Sequence, residues 1–244
     1  MHDMADDALA RLYGKLSRLS ELSASDKDLV DNIPYRITQA GGSAYLVREG
    51  AKPTECCLLV SGYACRHKST HNGGRQIVSF QLPGDLLDLQ NMHLGVADHN
   101  VQTITPATIA WIPYAALRDI SQQSAAISDA LWRDALIDAS IFREWVLNVG
   151  RRDAKQRVAH LLCEFAARSE AAGLGLAERF ILPMSQEHIA DATGLTPVHV
   201  NRMLRVLADD GLIARETARD IRIVDWSRMR RFADFQPGYL HQAA

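Results

Sequence analysis

The chain has 244 residues, is 47% hydrophobic and carries a formal net charge of −2. That composition excludes a disordered segment and leaves room for one large core or two moderate ones. No apolar run approaches the roughly 20 residues that cross a bilayer, and the start MHDMADDALARLY is acidic where a secretory signal is basic and then apolar, so the expected setting is cytoplasmic with no membrane partner.

Near-neutrality does not exclude nucleic acid. Residues 150–244 hold 14 Lys and Arg against 12 Asp and Glu, and residues 1–149 hold 13 against 17. The difference is modest, so an argument for DNA rests on where the arginines sit. Cys56, Cys57, Cys65 and Cys163 have neither a zinc spacing nor the look of a secreted disulfide frame. Buried thiols are the default reading, with redox activity left open.

In chain order, Ala8, Leu9, Leu12, Leu16 and Leu19 fall at helical spacing, and Ser25 with Asp28 opens a second short helix. These make a lead-in over residues 1–34. From Tyr35 the texture changes to short alternating segments: Arg36–Gln39, Ser43–Val47, Cys56–Val60, Tyr63–Lys68, Gln76–Gln81, Val101–Thr105 and Thr108–Ile112. Turn signals such as Gly41-Gly42, Ser61-Gly62, Asn72-Gly73-Gly74 and Pro83-Gly84-Asp85 separate them. Strands at this interval predict a compact antiparallel β-roll over residues 35–123.

A brief helix, Ala115–Ile120, precedes a long one from about Ser124 to Val149, so residues 124–150 form a single helical segment. Trp132, Ala135, Ala139, Phe142, Val146 and Val149 repeat on it at spacings of three and four, a seam suited to pairing with a second copy. Ile127, Leu131, Leu136 and Ile141 supply another apolar face for the roll, and a helix apolar on two sides needs two partners. Gly150-Arg151-Arg152 reads as a hinge, and Asp153 as the N-cap of a helix from Ala154 to Arg168.

The stretch from Met184 to Leu212 carries the strongest signal. Ser185 caps a helix from Gln186 to Ala192, Gly194 breaks it, and Thr196 caps a second helix whose first residue, Pro197, lacks the donor that goes unpaired there. Val200, Met203, Leu204 and Leu207 form its buried stripe, leaving Val198, Asn201, Arg202, Arg205 and, at the margin, His199 outward. Behind it, Leu212–Arg215, the turn Glu216–Asp220 and the strand Ile221–Val224 make a wing. Residues 151–244 thus read as a winged helix-turn-helix that presents its second helix to a major groove. The fold class is α+β: an N-terminal β-roll of the jelly-roll, double-stranded β-helix kind, a long dimerisation helix, and a C-terminal winged helix-turn-helix.

From Tyr35 to Phe235 this order of parts resembles the Crp/Fnr superfamily of bacterial transcription regulators. The matching stretches are Arg48-Glu49-Gly50 with Leu58–Gly62, Pro83-Gly84-Asp85-Leu86, Arg157–Leu162 and Gln186–Ile213. The resemblance implies a homodimer reading a near-palindromic DNA site, with double-stranded DNA, a second copy and RNA polymerase as partners. It implies that Arg202 reads a guanine edge and that Thr196, Ser185, Gln186 and Lys155 contact phosphate, with Arg205 grouped with the phosphate contacts. The usual glutamate one turn before the arginine is Val198 here, which fits a thymine methyl, and His199 or Asn201 fits a base or phosphate.

In the sensor half the resemblance puts a cyclic-nucleotide phosphate beside Gly84-Asp85-Leu86. Asp85 would repel it, and no arginine occurs from Gly84 to Ala116. No cofactor is expected on this reading, cyclic nucleotide is disfavoured, and any haem or other effector is unassigned. No cysteine precedes Cys56, which argues against an N-terminal iron-sulfur cluster. His67 and His71 beside Asn72-Gly73-Gly74 read as solvated turn histidines. No catalytic constellation stands out, so an enzyme is the least favoured class. The alternative of another class is a non-DNA signalling module whose roll regulates a protein partner.

Overall fold

The computed structural model describes residues 3–217 and 219–242. Met1, His2, Ala243 and Ala244, at the ends of the outermost predicted segments, and Ala218 of the wing turn lie outside the described residues. The described residues form two compact units, one of residues 3–68 and 79–139, the other of residues 69–78, 140–217 and 219–242.

In the N-terminal part of the chain, α1 spans Asp3–Leu19 and α2 spans Ala24–Asp31. The α2 cap corrects the expected one. Ser23, not Ser25, accepts the Asp26 backbone N–H at 3.2 Å, and the Asp26 carboxylate accepts the Ser23 N–H at 2.8 Å. Seven strands follow at the expected places: β1 (Arg36–Ala40), β2 (Tyr45–Val47), β3 (Glu55–Ser61), β4 (Ala64–Ser69), β5 (Arg75–Gln81), β6 (Asn100–Thr103) and β7 (Ala107–Pro113). A short helix between β5 and β6, α3 (Asn91–Leu94), has no counterpart in the sequence reading. The strands form sheets of order β1-β7-β3 and β2-β6-β4-β5, antiparallel at β1-β7, β3-β7, β2-β6 and β4-β6.

Strand β3 is buried on both faces, and α1 is the reason. Alternation sends Cys56, Leu58 and Val60 into one apolar cluster with Leu12 and Leu16 of α1, while Cys57 and Leu59 join Val47, Leu87 and Ile109 in another. The lead-in is therefore a wall of the core. Where β3 turns toward β4, Gly62 holds φ at +85°, and a Cβ there would stand 2.4 Å from the Pro106 carbonyl oxygen and 2.8 Å from Ala107 Cα. Only glycine combines that backbone angle with that approach.

Helix α4 (Tyr114–Gln123) leads into α5 (Ala125–Arg151). Ile127, Leu131 and Ile141 are buried as expected, but Leu136 is 59% exposed. The helical period sets it beside Trp132 and Ala139 and away from the face that packs on the roll. The expected hinge also moves. Gly150 and Arg151 are helical, and the chain breaks only at Arg152–Asp153 before α6 (Ala154–Ala171). Buried Arg152 fixes the break: its Nη2 lies 2.7 Å from Glu144 and 2.9 Å from Asp234, and its carbonyl accepts the Arg157 Nε–H at 2.8 Å. Asp153 and Gln156 then close a capping box.

The rest of the second unit comprises β8 (Arg179–Ile181), α7 (Gln186–Thr193), α8 (Pro197–Asp209), β9 (Ile213–Arg215), β10 (Asp220–Ile223), α9 (Trp226–Phe232) and a 3-10 turn at Pro237–Leu240. The wing is a three-stranded sheet of order β8-β10-β9, one strand more than expected. A buried polar chain ties the C-terminal turn to α6 and α5. His160 meets the Ala233 carbonyl at 3.2 Å and the Tyr239 hydroxyl at 3.1 Å, Tyr239 reaches Glu164 at 2.7 Å, and the Trp145 indole N–H donates to Glu164 at 3.0 Å.

Two stability outcomes follow from these contacts. Gly62→Ala should cost about 3 kcal/mol, from a left-handed backbone plus overpacking against backbone atoms; a urea midpoint unchanged from wild type would contradict the geometry. Burial, assisted by Arg152, pushes the His160 imidazole from 6.5 down to about 4. Between those values the unfolded chain takes up a proton that the folded chain refuses, so stability falls as pH falls, by about 3 kcal/mol from this residue. Glu164, raised by burial, acts in the opposite sense. The clean readout is therefore the difference between wild type and His160→Gln, whose unfolding free energy should decline less steeply across that window.

Candidate nucleic-acid interface

Helix α6 packs against α7 and α8, and its Val158, Leu161, Leu162 and Phe165 are buried. Ser185 accepts the His188 backbone N–H at 3.2 Å and Gly194 closes α7 at φ +67°, so the first helix is capped at both ends as read from sequence. Thr196 accepts the His199 backbone N–H at 3.2 Å and Pro197 takes the first helical position of α8. Val200, Leu204 and Leu207 are buried, while Met203 is half-buried.

That burial turns the expected residues outward together. Val198 is 81% exposed, Arg202 and Arg205 are exposed, and His199 and Asn201 are half-buried. Ser185 and Thr196 are exposed at the two caps, with Gln186 half-buried. Among the described residues neither Arg202 nor Arg205 takes part in an ion pair, and Arg202 Nη2 lies 3.0 Å from His199 Nε2. A guanidinium left without a carboxylate keeps its full charge and donors for an external acceptor.

Lys155 is not brought to this group. Its ammonium pairs with Asp210, the C-cap of α8, and lies 4.4 Å from the centre of the Phe232 ring. A helix of 13 residues separates its ends by about 20 Å, so the expected phosphate contact at Lys155 is far from Thr196 and already occupied. The structure adds exposed cations that the sequence reading passed over: Arg219 and Arg222 on the wing, Arg228 and Arg231 on α9. The alternation of Ile221 and Ile223, both buried, was the available sign for Arg222.

On α5 the seam residues differ in exposure. Trp132 is 61% and Val146 74% exposed, whereas Ala135, Ala139, Phe142 and Val149 are half-buried. In the roll, the Gly84-Asp85-Leu86 turn is bound by the chain's own groups. The Asp85 carboxylate accepts the Leu82 N–H at 2.8 Å and pairs with Lys15 at 2.6 Å, and Lys15 also meets Asp134 at 2.9 Å. Burial pulls the Lys15 ammonium down, but Asp134 and Asp85 outweigh it and hold the proton on. Arg66 donates to the Leu86 and Leu87 carbonyls and pairs with Asp138. All four thiols are buried; burial pushes Cys163 up to about 12 and holds Cys56 and Cys57 well above the ordinary range, which keeps them protonated. His67 corrects the solvated reading: it is buried against the Tyr45 ring, with centroids 5.8 Å apart, while His71 is exposed.

Residues 40–124 match the cyclic nucleotide-binding domain model and residues 156–232 match the Crp-like helix-turn-helix domain model. The transcriptional activator protein FnrL of Cereibacter sphaeroides is 28% identical over 198 residues, covering 80% of this chain and 78% of that protein. The transcriptional activator protein Anr of Pseudomonas aeruginosa is 27% identical over 220 residues, covering 90% and 88%. In fold, FixK2 from Bradyrhizobium japonicum superposes with a TM-score of 0.75 at 24% identity over 82% of this chain and 98% of that one. With a roll, a long helix and a capped, arginine-bearing helix pair in that order, the chain joins a cyclic nucleotide-binding domain to a Crp-like helix-turn-helix domain and is similar along most of its length to the transcriptional activators FnrL and Anr.

Proposed function

We propose that the protein acts in the cytoplasm as a homodimer on a near-palindromic operator, placing one α8 helix in each of two successive major grooves and working with RNA polymerase. The observation that supports this most is the outward Arg202, held on a doubly capped helix pair with no carboxylate to neutralise it. Arg202 reads a guanine through O6 and N7, and Val198 packs on a thymine methyl, with His199 and Asn201 alongside. Ser185, Gln186, Thr196 and Arg205 supply phosphate contacts that set the register. Lys155 contributes little, because Asp210 holds it.

In this reading the roll takes no cyclic nucleotide. A phosphate at the Gly84-Asp85-Leu86 turn meets the Asp85 carboxylate, and the nearby cations, Lys15 and Arg66, are engaged with Asp85, Asp134 and Asp138. The second copy pairs along the Trp132, Leu136 and Val146 stripe of α5, whose exposure in one subunit leaves it open to a partner.

Operator binding with purified protein tests the first part. Arg202→Ala should cost about 1 to 3 kcal/mol and remove the preference at one base step, and wild-type affinity should fall by orders of magnitude between low and moderate salt. A protein-partner module would show neither, and unchanged affinity and preference in Arg202→Ala would refute the base contact. Added cyclic nucleotide should leave wild-type affinity unchanged. For the assembly, Trp132→Glu with Val146→Glu should raise the dimer dissociation constant at least tenfold, about 1.4 kcal/mol, with a folded monomer seen by sedimentation; a dimer of unchanged affinity would place the interface elsewhere.

A further inference from the structure

We infer that His199 is a specificity-determining residue that acts through Arg202: its imidazole holds the guanidinium in the one orientation that reads a guanine. The inference rests on the reading of Arg202 as the base-reading residue and adds what aims it.

Arg202 Nη2 and His199 Nε2 stand 3.0 Å apart. A guanidinium has only donors, so Nε2 is the acceptor and the ring proton sits on Nδ1. The imidazole in this arrangement is neutral. Residues 199 and 202 are three apart on α8 and therefore neighbours on one face. The backbone of His199 is fixed in its turn, because its N–H is the one that Thr196 Oγ1 accepts at 3.2 Å. The cap therefore sets the position of the histidine, and the histidine sets that of the arginine.

One of five guanidinium N–H groups is spent on His199, which leaves enough of the planar fork to meet O6 and N7 of a guanine together. An untethered arginine on the same exposed face would reach phosphates at many angles. Phosphate contacts carry no sequence information, whereas a base-edge contact needs one orientation. Losing the tether should therefore reduce discrimination more than it reduces affinity for DNA of any sequence. Val198, 81% exposed and without a polar atom on its side chain, offers Arg202 no alternative anchor. Among the described residues the His199 ring has Arg202 as its hydrogen-bond partner.

The test uses full-length protein, a site selected by it from random DNA, and the same site with each guanine changed to adenine. His199→Ala should lower the ratio of affinities at one guanine by about tenfold, a larger change than in its binding to unrelated DNA. His199→Gln, whose side-chain oxygen accepts the same bond, should restore most of the ratio. In an Arg202→Ala background, His199→Ala should have no further effect. A uniform loss on all sequences in His199→Ala would make the histidine an ordinary phosphate contact and overturn the inference. An intact ratio in His199→Ala, with Arg202→Ala losing it, would overturn the inference alone, whereas an intact ratio in Arg202→Ala would overturn the reading beneath it.

Discussion

The burial of Val200, Leu204 and Leu207 against α6 and α7 is the constraint from which the proposed DNA-facing surface follows. Each such side chain removed from water contributes about 1.5 to 3 kcal/mol, so the three together outweigh leaving Val198 exposed two positions before Val200. With that stripe fixed inward, a helix of period 3.6 has no freedom over the rest: Val198, Arg202 and Arg205 must face out. The caps at Ser185 and Thr196 then decide where each helix starts, and so which residues lie at the tip. Recognition chemistry here is a by-product of core packing, with function placed in the residues that packing leaves free.

The roll solves a different problem, that of burying charge. Lys15, Arg66, Asp85, Asp134 and Asp138 lie close together in a largely dry setting, where breaking one pair strands its partner at a cost of several kcal/mol. Asp134 and Asp138 are four apart on α5 and share a face. The exposed Trp132 and Leu136 lie on the other side of the same helix. One face of α5 is thus held to the roll by ions while the opposite face is left apolar and open. Lys15 gives α1 a second duty besides covering β3, because it joins α1 to both the Gly84 turn and α5.

The sequence displays most of this wherever a local rule suffices. Alternation located all seven roll strands, and cap chemistry located α6, α7 and α8 to within a few residues, because hydrogen bonds between a side chain and a nearby backbone are written in consecutive positions. The failures share one cause. Gly150 looked like the hinge by propensity, but Arg152 is fixed by Glu144, eight residues back, and by Asp234, far ahead, and these contacts decide where α5 ends. Strand β8 has only three residues and exists because β10 offers it an edge. His67 looked solvated beside its glycine turn and is buried by Tyr45 from another strand.

The candidate site shows the same division. The outward placement of Arg202 follows from helical period alone, whereas its partner does not, because which of several neighbouring polar groups accepts an arginine N–H depends on rotamers that packing sets. Lys155 shows the same limit: its position at the start of α6 is legible in the sequence, but its pairing with Asp210 at the far end of α8 is not. A basic residue near a DNA-binding helix is therefore not evidence of contact until its carboxylates are counted. By that criterion Arg202 and Arg205 stand apart from Lys155 and from Arg179, which Glu216 and Asp220 hold within the wing.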